Sequence, residues 1–168
     1  MKTLLVLAAG VLLASSVLAE TPEAVAKTFF DAYVKFHVSG LPSEEQMKTF
    51  GPLLVPEIVT LLGAARAEQV EFQKKHPDEK PPWIEGALFS SLFEGVTAYR
   101  LGEPLESADK ASIPVYWEYT EGGETSRWID VVTLARSGET WKVSDIFFCA
   151  PWDFRPGASL KAELTAKE

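Results

Sequence analysis

Two glycine turns set between apolar-rich, alternating runs constrain this chain more than any other feature. Residues 111–120 (ASIPVYWEYT), 128–134 (WIDVVTL) and 141–148 (WKVSDIFF) place bulky apolar side chains at every second position, the period of half-buried strands. A two-residue Gly122-Gly123 loop pairs Glu121 with Glu124 and, further in, Glu118 with Arg127. That opposite-charge couple is what cross-strand neighbours favour, so it supports the register independently. A Ser137-Gly138 loop would close the next hairpin and set Arg136 against Glu139, again opposite charges. Carried inward, these registers oppose Trp117 to Trp128, Val115 to Asp130 and Ile113 to Val132. On the following strand they oppose Leu134 to Trp141, Val132 to Val143, Asp130 to Asp145 and Trp128 to Phe147. One sheet face then gathers Trp117, Tyr119, Trp128, Asp130, Trp141, Asp145, Phe147 and Cys149, and this is the face that helices should cover. Tyr116, Ile129, Ile146 and Phe148 fall on the other face and would suit a homodimer through it.

Upstream, helical signals replace strand signals. Thr21-Pro22-Glu23 starts a helix with a hydroxyl cap, a proline in the first turn and an acid near the positive dipole end. Val25, Phe29, Ala32, Tyr33 and Phe36 follow at helical spacing, and Gly40 supplies a stop. Ser43 with Gln46 makes a capping box for a short second helix. Pro56-Glu57 opens a longer one with Ile58, Leu61, Leu62, Ala65 and Phe72 on one side. HPDEKPP, residues 76–82, is a loop by its prolines and charges. That loop with Trp83, and the tail from Phe154 to Glu168 with nearby Trp152, are candidate docking surfaces.

The first 19 residues read as a secretory signal: Lys2, an apolar run from Leu4 to Leu13, then small residues up to an expected cleavage between Ala19 and Glu20. The run is shorter than the roughly 20 residues that span a bilayer. Residues 20–168 then form a single exported domain, periplasmic or secreted, with no membrane association after cleavage. Loss of Lys2 takes the formal charge from −8 to −9, which disfavours nucleic acid as a partner. The single cysteine, Cys149, cannot form an internal disulfide, so packing must hold the fold. It is read as strand-end filler, with an intermolecular disulfide as the alternative.

Helices followed by a meander of long antiparallel strands are similar to the nuclear transport factor 2-like superfamily, and within it to small exported bacterial domains of unassigned function. The residues carrying the resemblance are Phe29-Phe30-Asp31-Ala32-Tyr33, Trp128 to Leu134, Trp141-Lys142-Val143-Ser144-Asp145-Ile146 and Gly157-Ala158-Ser159-Leu160. The resemblance implies an α+β fold of N-terminal helices packed on a curved antiparallel sheet, cone-like in the manner of cystatins, with a pocket between. That superfamily includes isomerase-like enzymes, ligand binders and immunity or docking domains, so fold alone assigns no function. No enzyme-specific motif of those relatives matches, and no catalytic residue carries over.

Two functional readings remain open. In the first, the chain is a non-catalytic binding domain that holds a small apolar or aromatic ligand, or docks another protein as an immunity protein does. Tyr33, Trp117, Tyr119, Trp128, Asp130, Trp141 and Asp145 would line its site. In the second, Asp130 and Asp145 form an acid/base pair of an isomerase or dehydratase, with Tyr33 as the orienting donor. The structural alternative for the carboxylates is that a bulge turns one outward, or that backbone and indole N–H groups occupy them. No cofactor is expected. His37 and His76 are too far apart in sequence for a zinc site.

Overall fold

The computed structural model describes residues 20–152 and 158–166. The leader and its cleavage point, and residues 154–157 and 167–168 of the tail, lie outside the described residues.

Helix α1 (Pro22–Phe36) begins where expected, with the Thr21 hydroxyl accepting the Ala24 N–H at 3.2 Å. It buries Val25, Ala26, Phe29, Phe30, Ala32 and Tyr33, two adjacent ridges that face the sheet. It ends earlier than the glycine suggests, with His37 taking the left-handed cap at φ 48°. Gly40 has a different task. Its N–H donates to Gly86 O at 2.8 Å, and a Cβ there would lie 2.5 Å from Trp83 O, so only glycine lets the two segments cross. Helix α2 (Glu44–Phe50) carries the complete Ser43–Gln46 capping box. Helix α3 (Pro56–Lys75) buries Ile58, Leu62 and Ala65. Helix α4 (Leu160–Thr165) in the tail was not expected; it is capped by Ser159 and buries Leu160 and Leu164.

The strands are β1 (Ala98–Leu101), β2 (Leu105–Glu106), β3 (Lys110–Glu121), β4 (Glu124–Ser137) and β5 (Thr140–Phe147). They form one antiparallel sheet ordered β1-β3-β4-β5, with β2 also on β3. The α+β class holds, but the cone-like, cystatin-like curl does not. The sheet is open, since β1 and β5 lie at opposite ends of the order and never pair. Strong curvature needs repeated bulges or glycine kinks along long strands. Here the β4–β5 ladder carries a single register shift, and β1 and β2, on the edge of β3 away from β4, are only four and two residues long. The outer edge of β5 is covered instead by other chain: Val55 N–H donates to Val143 O at 2.9 Å and Phe148 N–H to Ala158 O at 2.9 Å.

The β3–β4 register is as expected, with Glu118 opposite Arg127, Trp117 opposite Trp128 and Val115 opposite Asp130. The β4–β5 register is not. The loop is Gly138-Glu139, and Ser137 faces Thr140. Positive φ falls on Gly138 (65°), the first central position, where a tight hairpin turn requires glycine; centring the loop on Ser137 would put serine there. A bulge between Thr133 and Leu134 then adds one more residue of offset. Asp145 therefore stands opposite Thr133, not Asp130. Phe147 stands opposite Val131 and Trp141 opposite Arg136. Beyond the bulge the faces exchange: Ile146 and Phe148 are in the core, while Phe147 and Cys149 are exposed. The proposed outer-face pair Ile146 and Phe148 is thus unavailable to a second subunit.

Candidate functional site

Asp130 sits on the core face of β4 with no solvent exposure. A carboxyl group in that position must find donors inside the protein, and it finds four. Ser91 N–H reaches it at 2.9 Å, Cys149 N–H at 3.0 Å and the Trp128 indole N–H at 3.2 Å, and the Ser91 hydroxyl donates as well. Three separate pieces of chain converge on this one side chain: β4, the segment after β5, and the loop between α3 and β1. Tyr33 touches the same assembly one residue away, its hydroxyl 3.5 Å from that of Ser90. Ser90 and Ser91 were missed in the sequence. Their signal is a hydroxyl pair inside the apolar run ALFSSLF, residues 87–93, whose centre is buried.

Asp145 belongs to another site. The bulge puts it beside Thr133, and alternation along β4 puts Thr133 on the face opposite Asp130. Its carboxyl accepts Ile146 N–H at 2.9 Å, the Ser159 hydroxyl at 2.9 Å and Lys161 N–H at 3.1 Å, which fastens the start of α4 over the sheet. The two aspartates expected as a side-by-side pair lie on different faces and hold different segments. No shared proton or common substrate atom can join them.

Of the aromatic residues expected to line a ligand site, Tyr33 and Trp128 both contact Trp117, whereas Trp141 and Tyr119 lie elsewhere on the sheet. Trp117 meets Phe30 edge-on at 5.1 Å between centroids, Tyr33 at 6.0 Å and Trp128 in a stack at 6.4 Å. Trp152 covers Trp128 at 5.3 Å. Trp141, at the far end of the sheet, lies under the Arg136 guanidinium, 4.9 Å from its ring centre. Tyr119 is half-buried near the hairpin end of β3. His37 is an exposed helix cap, and His76 contacts Glu79 on the surface at 3.0 Å. Among the described residues no group of three or more His, Cys, Asp or Glu is placed to hold a metal ion. Burial, and then the nearby Asp130 carboxyl, push the Cys149 thiol above its ordinary pKa, which works against a thiolate nucleophile.

No family model matches the chain, and no curated protein is found similar to it. One solved structure is similar. It is a chain of the crystal structure of the type VI native effector–immunity complex Tae3–Tai3 from Ralstonia pickettii, 20% identical, with a TM-score of 0.43, covering 80% of this chain and 98% of that one. Among the described residues no helix is long and apolar enough to cross a membrane.

Openings lie at the surface. A groove of about 800 Å³ runs between the β2 end of the sheet and α4, with Leu105, Phe147, Lys110, Lys161, Glu57 and Glu106 along it. A smaller cleft of about 210 Å³ lies between the α3–β1 loop and α4. Around it the loop keeps Ile84 and Phe93 about half exposed, although its centre, from Gly86 to Ser91, is buried.

Proposed function

We propose that this chain is an exported, non-catalytic binding domain that docks another protein at its surface; an immunity protein that blocks a toxin is one concrete form. The observation that carries the reading is the use made of Asp130. A buried carboxyl group, which an enzyme would turn toward substrate, instead fixes a long irregular loop whose flanks present apolar side chains to solvent. Irregular segments of this length in a compact domain are commonly functional, and apolar side chains on a rigid support are the usual anchors of protein interfaces. Export is supported by the leader pattern in residues 1–19. A small apolar ligand remains the second reading, favoured by the 800 Å³ groove, whose volume falls in the range of ligand sites. Purification of the tagged chain from its native envelope, followed by native mass spectrometry, separates the two. A protein bound in fixed stoichiometry is expected. Recovery of small molecules alone, retained through gel filtration, would overturn the docking reading.

A further inference from the structure

One edge of the sheet is closed and the other is open. On the β5 side the N–H groups of Val55 and Phe148 tie neighbouring chain to the edge. On the other side β1 ends the strand order. Gly102 N–H donates to Pro114 O at 2.7 Å just past β1, and the register sets Arg100 opposite Tyr116 and Ala98 opposite Glu118. Alternate residues of an antiparallel strand bond to the same neighbour. Ala98 and Arg100 therefore turn their backbone groups toward β3, while Tyr99 and Leu101 turn theirs outward. Among the described residues nothing bonds to the outward N–H and C=O groups of those two residues. The strand is nevertheless fixed from within. The Tyr99 hydroxyl donates to the Asp31 carboxyl at 2.6 Å, with Lys27 O at 3.0 Å, and its ring packs 5.6 Å from that of Phe30. The open backbone groups are thus held in strand geometry before any partner arrives, which lowers the entropic cost of pairing with them.

Two side chains along this edge say what should lie beside it. The Arg100 guanidinium rests on the Tyr116 ring, 4.1 Å from its centre. Glu118, its diagonal neighbour across the ladder, is taken by Arg127 at 2.8 Å, and among the described residues no acid pairs with Arg100. Cross-strand neighbours of opposite charge favour each other. A strand laid against β1 therefore gains by placing Asp or Glu opposite Arg100. Leu105, on β2 further along the same edge of β3, is 76% exposed, and an apolar residue of the added segment would cover it. The edge also continues directly from the loop that Asp130 fixes, with Phe93 half exposed just ahead of it. With only four residues in β1, backbone pairing is brief, so these side chains must supply the selectivity.

We propose that a protein partner docks at the open edge of β1 by adding an extended segment to the sheet, and that this segment carries an acidic residue opposite Arg100. This rests on the docking reading above and adds its mode and the partner's chemistry. The test is selection of random decapeptides on phage against the purified chain, then amide mapping of the enriched peptides by NMR. Enriched peptides should combine Asp or Glu with β-branched or aromatic residues and slow hydrogen exchange at the amides of Tyr99 and Leu101. N-methylation at alternate peptide positions should weaken binding more than tenfold, and at the intervening positions hardly at all. Arg100→Gln should weaken binding about threefold. Binding lost in Arg100→Glu should return with peptides whose acid is replaced by lysine, which loss of the Tyr116 contact alone would not produce. Peptides that map to Ile84 and Phe93 or to Phe147, that show no alternation on N-methylation, or that bind Arg100→Gln equally well overturn the inference and leave protein docking standing. Failure to enrich any peptide overturns it too, with the docking reading then decided by native purification alone. Exchange at Tyr99 and Leu101 that slows with protein concentration and without peptide would identify a second copy at this edge and likewise overturn it.

Discussion

Replacing Asp130 by alanine should strongly destabilise this protein, and the size of the effect can be worked from its contacts. The carboxyl accepts three N–H groups, from Ser91, Cys149 and the Trp128 indole, and one hydroxyl. After the substitution the Ser91 hydroxyl can turn to another acceptor, but the N–H groups cannot. A buried donor left without a partner costs about 1–3 kcal/mol. Water entering the vacated space recovers part of that, so the total should be about 4 kcal/mol, in the upper tail of single substitutions. Against a typical domain stability of about 5–15 kcal/mol, the urea midpoint should fall by roughly 2 M. Asp130→Asn keeps the volume and one acceptor oxygen while turning an NH₂ toward existing donors, and should lose about half as much. Hydrogen exchange supplies the local readout: amides of residues 86–92 should exchange faster before those of β3 and β4 do. A midpoint within about 0.5 M of the parent, with unchanged exchange in that loop, would refute the assignment of Asp130 as its anchor.

Asp145→Asn should destabilise the fold near neutral pH by about 1–2 kcal/mol and speed exchange in α4, because the carboxyl holds Ser159 and Lys161; stabilisation, read by urea melting, would instead indicate repulsion from a neighbouring carboxylate. Gly40→Ala should cost more than about 2 kcal/mol, as a left-handed φ of 68° and a 2.5 Å approach to Trp83 O both exclude a Cβ; chemical denaturation measures it. The hydrogen bonds from Lys27, and after it Tyr99, hold the Asp31 carboxyl below the usual aspartate range. That contribution to stability is present above the unfolded-state pKa and is lost as pH falls through the folded one. Tyr99→Phe should move the Asp31 pKa, followed by carboxyl-carbon NMR, back up toward the ordinary value; no movement would show that Lys27 alone sets it.

What was legible in the sequence divides at the second turn. Helix starts were marked by side chains that act locally, Thr21 and the Ser43–Gln46 box, and these carry their own geometry. The first hairpin was legible because both central positions of its turn are glycines at positive φ, and because Glu118 and Arg127 pair across it at 2.8 Å. In the second hairpin the charges of Arg136 and Glu139 suggested a false register, while the requirement for glycine at the first central position of the turn gave the true one. The bulge had no local signal: WKVSDIFF alternates smoothly, and only packing decides that Ile146 and Phe148 go inward. Most of the aromatic core was recognisable, since Tyr33, Trp117, Trp128 and Trp141 sit on apolar periods. The partners of the aspartates were not, because Ser91 is 39 residues from Asp130 and Ser159 is 14 from Asp145.

The two aspartates also explain how a chain with one cysteine can order so much irregular backbone. A strand or helix satisfies its N–H groups through its own ladder, whereas a buried loop has no ladder and must borrow acceptors. A carboxyl group offers two oxygens with about four acceptor positions, more than any other side chain, and so suits the point where several irregular segments meet. Asp130 serves Ser91 and Cys149 in this way, and Asp145 serves Ser159 and Lys161. In a chain with a single cysteine these junctions take the place of covalent staples.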